Sequence, residues 1–336
     1  MQPVNDEGSP LAAGKIPLEL LGRLLDELPP PPPELLLGAR IGEDACGIGV
    51  PEGVLIAAAD PITLTSEDAG RLAVVASAND VAVSGARPRW FLAVVLVPPG
   101  TTERQVHELF ASIRLTLAGL GAHLVGGHTE ITPAVTRPVV VGQMLGLAEG
   151  GRPITTGGFA PGDVVVQVGP APIEGAAVLA REVLAGSKAV AEELLAQAQA
   201  ALEQPGISVV EPALLATTLG VTALHDPTEG GLAGGLHELA CAAGLGLVVD
   251  RRAVLWFRPG LAACEAIGAD PWGTLASGTL LATFPPETAG RALERLVGEG
   301  YEAAVIGRAE NGAGVRDTDG EPIDWPDRDE VARLLA

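Results

Sequence analysis

The chain has 336 residues, 47% of them hydrophobic, and a formal net charge of -21 at pH 7, which suits about two domains with substantial cores. That charge argues against nucleic acid and against an anionic membrane surface as partners, because both would repel it. No run of about 18 apolar residues is free of polar interruption, so no transmembrane span is expected. Nucleotides stay open, since a magnesium nucleotide brings its own cations. Cys46, Cys241 and Cys264 show no CxxC spacing and no secretory signal opens the sequence. They read as reduced thiols of a cytoplasmic protein, not as disulfides or structural zinc ligands.

Residues 1–35 read as a polar start, an amphipathic run from Leu18 to Leu28 and a stiff spacer, Pro29 to Pro33. Within them Lys15, in Ala13-Gly14-Lys15-Ile16, can reach a phosphate, although the upstream glycine of a P-loop is missing. Gly42-Glu43-Asp44-Ala45 then precedes a strand at Val54 to Ala59 that ends on Asp60, so two acids bracket one strand. Strand ends are where α/β proteins place ligands. A helix is expected from Ser66 to Ser84, capped by Ser66 and closed by Gly85 and Pro88. Asn79 and Asp80 interrupt its apolar surface, and a carboxylate among alanines and valines needs a partner.

A strand is expected from Trp90 to Val97. The spacing of Val106, Leu109, Phe110, Ile113, Leu117 and Leu120 gives a helix from Thr102 to Leu120 with Gly121 as its C-cap. A short strand from His123 to Val125 runs into Gly126-Gly127-His128-Thr129-Glu130, where paired glycines let backbone amides approach an anion. A strand from Arg137 to Leu147 follows. Glycines around 150–158 place a domain boundary near residue 155, giving units 36–154 and 155–336 after the leader 1–35. In the second unit strands are expected at Val164 to Val168, Val221 to His225, Leu245 to Val249 and Ala303 to Arg308. Helices are expected at Ala176 to Leu184, Ala189 to Leu202, Glu229 to Ala243 and Glu287 to Glu299. The loop 169–175 opens one of these helices and can hold phosphate at a helix N-terminus. Asp226-Pro227-Thr228-Glu229-Gly230-Gly231-Leu232 places an acid at a strand end, and four glycines within Gly230–Gly235 imply close backbone approach to a neighbour or a ligand.

Asp44, Asp60, Asp80 and Asp226 thus sit in separate elements, each able to point into a cleft. Carboxylates without clustered cysteine or histidine favour a hard cation, Mg²⁺ first. Several acids with glycine-rich turns suggest a bound polyphosphate, most simply ATP, whose phosphoryl transfer the metal assists. No Walker A loop, Rossmann fingerprint or kinase motif set is present.

In their order along the chain, Gly42-Glu43-Asp44-Ala45, Asn79-Asp80 with Gly85-Ala86-Arg87-Pro88, Gly126-Gly127-His128-Thr129, Pro161-Gly162-Asp163 and Asp226-Pro227-Thr228-Glu229-Gly230-Gly231 resemble the aminoimidazole ribonucleotide (AIR) synthetase, or PurM-like, superfamily. The wording of the last motif is most similar to the HypE-like and AIR-synthase-related branches. The resemblance implies a two-domain α/β (α+β) fold whose N-terminal sheets pair into a β-barrel in a homodimer, with ATP along that interface. It implies Asp44, Asp60, Asp80 and Asp226 as metal ligands and Lys15, Asn79, Gly126, Gly127 and Thr129 as cofactor-binding residues. Asp80, Asp226 and His128 become the expected catalytic group. HypE proteins carry a modified cysteine at their C-terminal end. The sequence here closes Arg333-Leu334-Leu335-Ala336, so self-modification of a tail cysteine is not expected. His128 stands where thiamine monophosphate kinase has Asp and AIR synthetase has Glu, which leaves the acceptor open.

The reading that follows is a Mg²⁺- and ATP-dependent enzyme that activates an oxygen or related group of a small or carrier-bound acceptor by phosphorylation, with a possible maturation-protein partner. Two other readings are a small-molecule kinase of the thiamine monophosphate kinase type and a nucleotide-binding accessory protein without turnover.

Overall fold

A computed structural model describes Gly22 and residues 33–38, 40, 42–43, 45–51, 53–63, 68–148 and 152–335. Lys15, the run from Leu18 to Leu28, Asp44 and the Ser66 cap lie outside the described residues.

Among the described residues two six-stranded sheets carry the fold. The first is built from β1 (Leu35–Leu37), β2 (Cys46–Val50), β3 (Gly53–Ile62), β4 (Arg87–Val97), β5 (His123–Ile131) and β6 (Val139–Ala148), in the order β1-β2-β3-β6-β4-β5. Every pairing in it is antiparallel except β4 with β5, the outer pair. Helix α1 (Ala69–Val83) precedes β4, and α2 (Glu103–Leu120) makes the crossover from β4 to β5. The expected helix α2 forms with the termini its sequence dictates. Thr102 and Gln105 make a reciprocal capping box, and Gly121 closes it at φ 67°.

The second sheet comprises β7 (Val164–Val168), β8 (Ala223–His225), β9 (Gly246–Val249), β10 (Leu280–Phe284), β11 (Ala303–Glu310) and β12 (Gly314–Asp317), in the order β12-β9-β11-β7-β10-β8. It too is antiparallel apart from one outer pair, β12 with β9. Its helices are α3 (Glu174–Val178), continued by a wider π-turn over Leu179–Val183, then α4 (Glu192–Gln199), α5 (Val210–Thr217), α6 (Gly231–Ala243), α7 (Arg258–Ile267), α8 (Pro286–Gly298) and α9 (Glu330–Leu334). Helices α5 and α7 are not foreseen by periodicity. Each is short and carries proline near its start, where proline is compatible with a helix although it reads as a breaker in a sequence.

The two halves share a core. Helix α1 is buried over most of its surface, only Arg71 and Ala76 being partly exposed, and lies between β3, β6 and β4 of its own sheet and α5 of the other half. One hydrophobic cluster therefore joins Val54, Ile56, Ala73, Val74 and Val81 to Val166, Val210, Ala213 and Ala282. On the far face of the second sheet, Leu232, Leu236 and Leu239 of α6 pack with Val165, Leu247 and Ile306. The layers run first sheet, α1 and α2, α5 and α8, second sheet, α6.

Two expectations change here. Helix α1 begins at Ala69, after Asp68 at φ 58° with no side-chain cap. Gly126 and Gly127 form no turn: they lie inside β5, where the register with β4 slips between Phe91 and Leu92. Gly127 has φ 144°, and a Cβ there would run into the Ala93 carbonyl. The glycine pair serves a β-bulge that brings two backbones together.

Candidate functional site

Asp60 ends up near the close of β3, partly exposed, on the side of the first sheet that meets the second half. The loop 169–175 brings Glu174 to it at the start of α3. Glu174 feels the charges of Asp60, Glu229 and Asp329 and hydrogen-bonds to Ser277. Burial, then this crowding of like charge, pushes its carboxyl up to about 7 against the relief of the Ser277 bond.

Asp226 follows β8 directly and is 4% exposed. Beside it His225, fully inside the fold, contacts Glu238 of α6 through Nε2 at 2.9 Å. Three residues on, Glu229 accepts from the Thr228 hydroxyl at 2.9 Å. Gly230 and Gly231 then open α6 at φ 83° and 64°. Side chains rarely adopt this conformation, and a Cβ on Gly231 would meet the carbonyls of Trp272 and Thr274 at 2.5 and 2.7 Å. Of the glycines foreseen as a close approach, Gly231 thus serves the neighbouring 272–274 turn, while Gly235 makes room for Pro227. Gly42 packs on Glu238 and Ala242 of the same helix, and Glu43 accepts the Thr156 N–H at 3.4 Å. The first acidic motif therefore reaches the helix that follows Asp226, although Asp44 itself lies outside the described residues.

Asp329, unremarked in the sequence, completes the group. It is 7% exposed and burial pushes its carboxyl up to about 6, while backbone N–H groups of Gly230 and Val331 hold it down. Its neighbours make it invisible to pattern reading: it caps a five-residue helix, and only tertiary packing brings it to Gly230. Glu174 was readable only as part of a loop. No local signal marks either residue, because what distinguishes them is the company of acids distant in sequence.

Asn79 and Asp80 are buried on α1, at 1% and 7% exposure. Asn79 uses its amide on the backbone of the other half. Its Nδ2 donates to the Ile207 carbonyl and its Oδ1 accepts from the Val209 N–H, both at 2.9 Å. The amide is committed to tying the two halves together. His128 and Thr129 lie exposed on the edge strand β5. The row Pro61–Val141–Val94–His128 crosses the sheet, which sets His128 about 14 Å from β3 at about 4.8 Å per strand. Within one chain, then, His128 does not join Asp60; it is 3.7 Å from Glu130 instead.

The seam between the halves thus offers hard oxygen donors without a thiol among the acids, and the one imidazole described beside Asp226, that of His225, contacts Glu238; carboxylate oxygens of this kind fit Mg²⁺. Among the described residues no three of His, Cys, Asp or Glu converge as a complete metal cage. Mg²⁺ usually takes one or two carboxylates and fills its octahedron with phosphate oxygens and water.

Two mixed sheets meeting at an acidic seam are the architecture of one class, and the motifs carry it: the N-terminal domain of AIR synthase related proteins matches residues 42–148 and the C-terminal domain matches 160–319. The chain belongs to this family. Among its relatives, carbamoyl dehydratase HypE of Rhodobacter capsulatus is 32% identical over 254 residues, covering 74% of this chain and 72% of that protein. Carbamoyl dehydratase HypE of Azotobacter vinelandii is 29% identical over 274 residues, covering 79% and 77%. A crystal structure of the hydrogenase maturation protein HypE in complex with ATP superposes with TM-score 0.69 at 21% identity, covering 96% of this chain and 98% of that one. A HypE–HypF complex gives 0.70 at 22%, covering 85% and 94%. AaThiL complexed with AMPPCP and TMP gives 0.71 at 18%, covering 92% and 94%. At these identities the structures speak for the fold alone.

Proposed function

We propose that this protein is an ATP-dependent enzyme of the HypE type, which activates the oxygen of a carbamoyl-like acceptor by phosphorylation so that it can be lost. The observation that carries this reading is the 32% identity to a carbamoyl dehydratase across most of both chains. The kinase reading has only a likeness of fold behind it, at 18% identity. A HypE crystallised with ATP and one crystallised with HypF motivate ATP as co-substrate and a maturation-type protein as partner here.

Dehydrating a carbamoyl group requires its oxygen to become a leaving group. The oxygen attacks the γ-phosphorus, ADP departs, and one N–H proton leaves as the C=N bond forms. Loss of the second N–H proton then expels phosphate and leaves a nitrile. The acceptor has given up one water, taken up in the products as ADP and inorganic phosphate. Mg²⁺, when bound, neutralises charge on the phosphates. Asp60 and Asp226, with Asp44 and Asp80, are the residues we assign to hold it. Glu174, with a carboxyl titrating near neutrality, is suited to take an N–H proton, since a base works best when its pKa lies near the working pH. Ser277 orients it.

We further propose the homodimer. Strand β5 is an outer strand, and exposed apolar side chains lie on it and on its crossover helix: Val125 is 54%, Ile131 63% and Leu115 75% exposed. An unpaired apolar edge is the feature that proteins normally cover. Pairing through β5 would set Gly126, Gly127, His128 and Thr129 of one subunit against the other, an arrangement in which they can meet a nucleotide. Among the described residues no helix is long and apolar enough to cross a membrane.

Calorimetric titration of ATP with and without Mg²⁺, with released phosphate assayed in the same samples, tests the function. Mg-dependent binding with acceptor-stimulated phosphate release is expected. Binding without release in the presence of carbamoylated acceptors would support the accessory reading instead, and no binding would overturn nucleotide use altogether.

A further inference from the structure

The matched C-terminal family domain ends at residue 319, yet the segment after it returns to the site. Residues 322–335 run back along α6. The Ile323 carbonyl and the His237 Nε2 lie 2.7 Å apart, and the Trp325 ring stacks on His237 with centroids at 5.0 Å and planes within 16°. Pro326 and Glu330 cover Gly273, and Glu330 accepts the Asp270 N–H at 3.1 Å. Val331 is fully buried with Leu179, Cys264 and Leu275. At the N-terminal end of α6 the segment reaches Gly230, whose lack of a side chain means that it cannot cap its own helix. Asp329 supplies what is missing: its Oδ2 accepts the Gly230 N–H at 2.9 Å while its Oδ1 accepts the Val331 N–H at 2.8 Å. One buried carboxylate therefore ends two helices at once, across 99 positions of sequence. The turn it holds is the one that carries Asp226 and Glu229. That turn is otherwise secured by Gly231 N–H to Thr228 carbonyl at 3.1 Å and Ala276 N–H to Thr228 carbonyl at 3.2 Å.

We propose that Asp329 is a positioning residue of the nucleotide site: by accepting the Gly230 N–H it fixes the turn from Asp226 to Gly231, so that the segment 322–335 acts as a strap that sets the affinity for Mg·ATP. The affinity part of this rests on the function proposed above; the tether does not. A buried N–H left without an acceptor is costly, and the turn relaxes to find water. Loss of the carboxylate thus loosens the backbone that aims Asp226.

The test uses the full chain with Asp329→Ala, Asp329→Asn and Leu296→Ala, the last a core truncation in α8 remote from the turn. Hydrogen–deuterium exchange of peptides covering 226–232 and calorimetry with Mg·ATP are read together. Expected are amide exchange and Mg·ATP dissociation each raised about tenfold in Asp329→Ala, a smaller effect in Asp329→Asn, whose amide oxygen keeps one of the two bonds, and parent-like behaviour of both readouts in folded Leu296→Ala. If Asp329→Ala fails to fold, the near-isosteric Asp329→Asn is judged against the same parent values. Unchanged exchange at 226–232 in the folded Asp329 variants overturns the proposal, as does an equal loss of affinity in Leu296→Ala. A parent that binds no Mg·ATP would overturn the functional reading, while the exchange data would still decide the tether.

Discussion

Asn79 and Asp226 are both buried polar residues in acidic, glycine-rich motifs, and the structure gives them different work. Asn79 satisfies two backbone groups of the opposite half. Truncating it leaves a buried carbonyl and a buried N–H unpaired, at about 1–3 kcal/mol each. Asn79→Ala should therefore lower unfolding stability by about 2–6 kcal/mol, read as a shifted midpoint in urea with little change in slope. Asp226 is a buried carboxylate that follows β8 directly, ahead of the Gly230–Gly231 turn, and is proposed here as a metal ligand. Asp226→Asn keeps the size of the side chain and removes its charge, so the expectation there is loss of Mg·ATP binding in protein that still folds. Asp80→Asn is expected to lose Mg·ATP binding likewise. Asparagine variants that bind Mg·ATP as the parent does would remove these two acids from the metal assignment. Before folding the pair Asn79-Asp80 looks like one polar unit, because a sequence does not show that adjacent side chains on a buried helix face different neighbours.

At the level of elements, two glycines of β6 decide the position of α1, the helix that bears the proposed metal ligand Asp80. A Cβ on Gly142 would meet the Ala73 carbonyl at 2.6 Å, Ser77 Oγ at 2.7 Å and Phe91 at 2.9 Å; one on Gly146 would meet the Arg87 carbonyl at 2.5 Å. The helix lies directly on the strand because nothing projects between them. Gly142→Ala must lift α1, which overpacks a dense core at about 1–3 kcal/mol. Because α1 also bears Asp80, the substitution should weaken Mg·ATP binding in protein that is still folded; a purely thermal effect would mean that the helix returns to its place. The elements themselves were largely readable. The periodicity and caps of α2 predict its bounds to within a residue, and β3, β4, β6, β7 and α6 fall where alternation and apolar runs put them. The glycine pair at 126–127 was misread because a turn and a bulge require the same residue for the same reason, freedom from a Cβ.

For the whole molecule, the seam makes stability depend on pH in an unusual direction. The folded-state pKa values of Glu174 and Asp329, about 7 and about 6, lie above their ordinary values of 4.5 and 3.8. The folded protein then holds these protons more tightly than the unfolded chain does. Their contribution to stability is fully present below the ordinary values and is lost as pH rises through the folded ones. Between pH 4.5 and pH 7 the Glu174 term amounts to about 3 kcal/mol. Glu174→Gln, which stays neutral, should keep that stability, so the gap between variant and parent in denaturant midpoint should widen from pH 5 to pH 8. A constant gap would show that Glu174 is solvated like a surface acid. Assembly is tested at the same scale. Val125→Lys with Ile131→Lys on β5 should shift sedimentation from dimer to monomer without loss of helix content; an unchanged species would place the interface elsewhere.

Local chemistry was enough, from the sequence, to set the class of this protein. Acids and glycine-rich turns without thiol clusters pointed to a metal-bound nucleotide, and the ordered motifs pointed, by their resemblance to AIR synthase related proteins, to the fold. These features act over a few residues, where propensity, capping and donor type operate. Tertiary structure alone decided which acids share a seam. Glu174 and Asp329 become functional candidates only when α3 and the strap bring them to Asp60, Glu229 and Gly230, and Asn79 becomes a tie only when residues 207–209 reach it. A carboxyl group's pKa and an amide's partners are set by what lies within a few ångströms in space, and for these residues that neighbourhood is assembled from segments about a hundred positions apart.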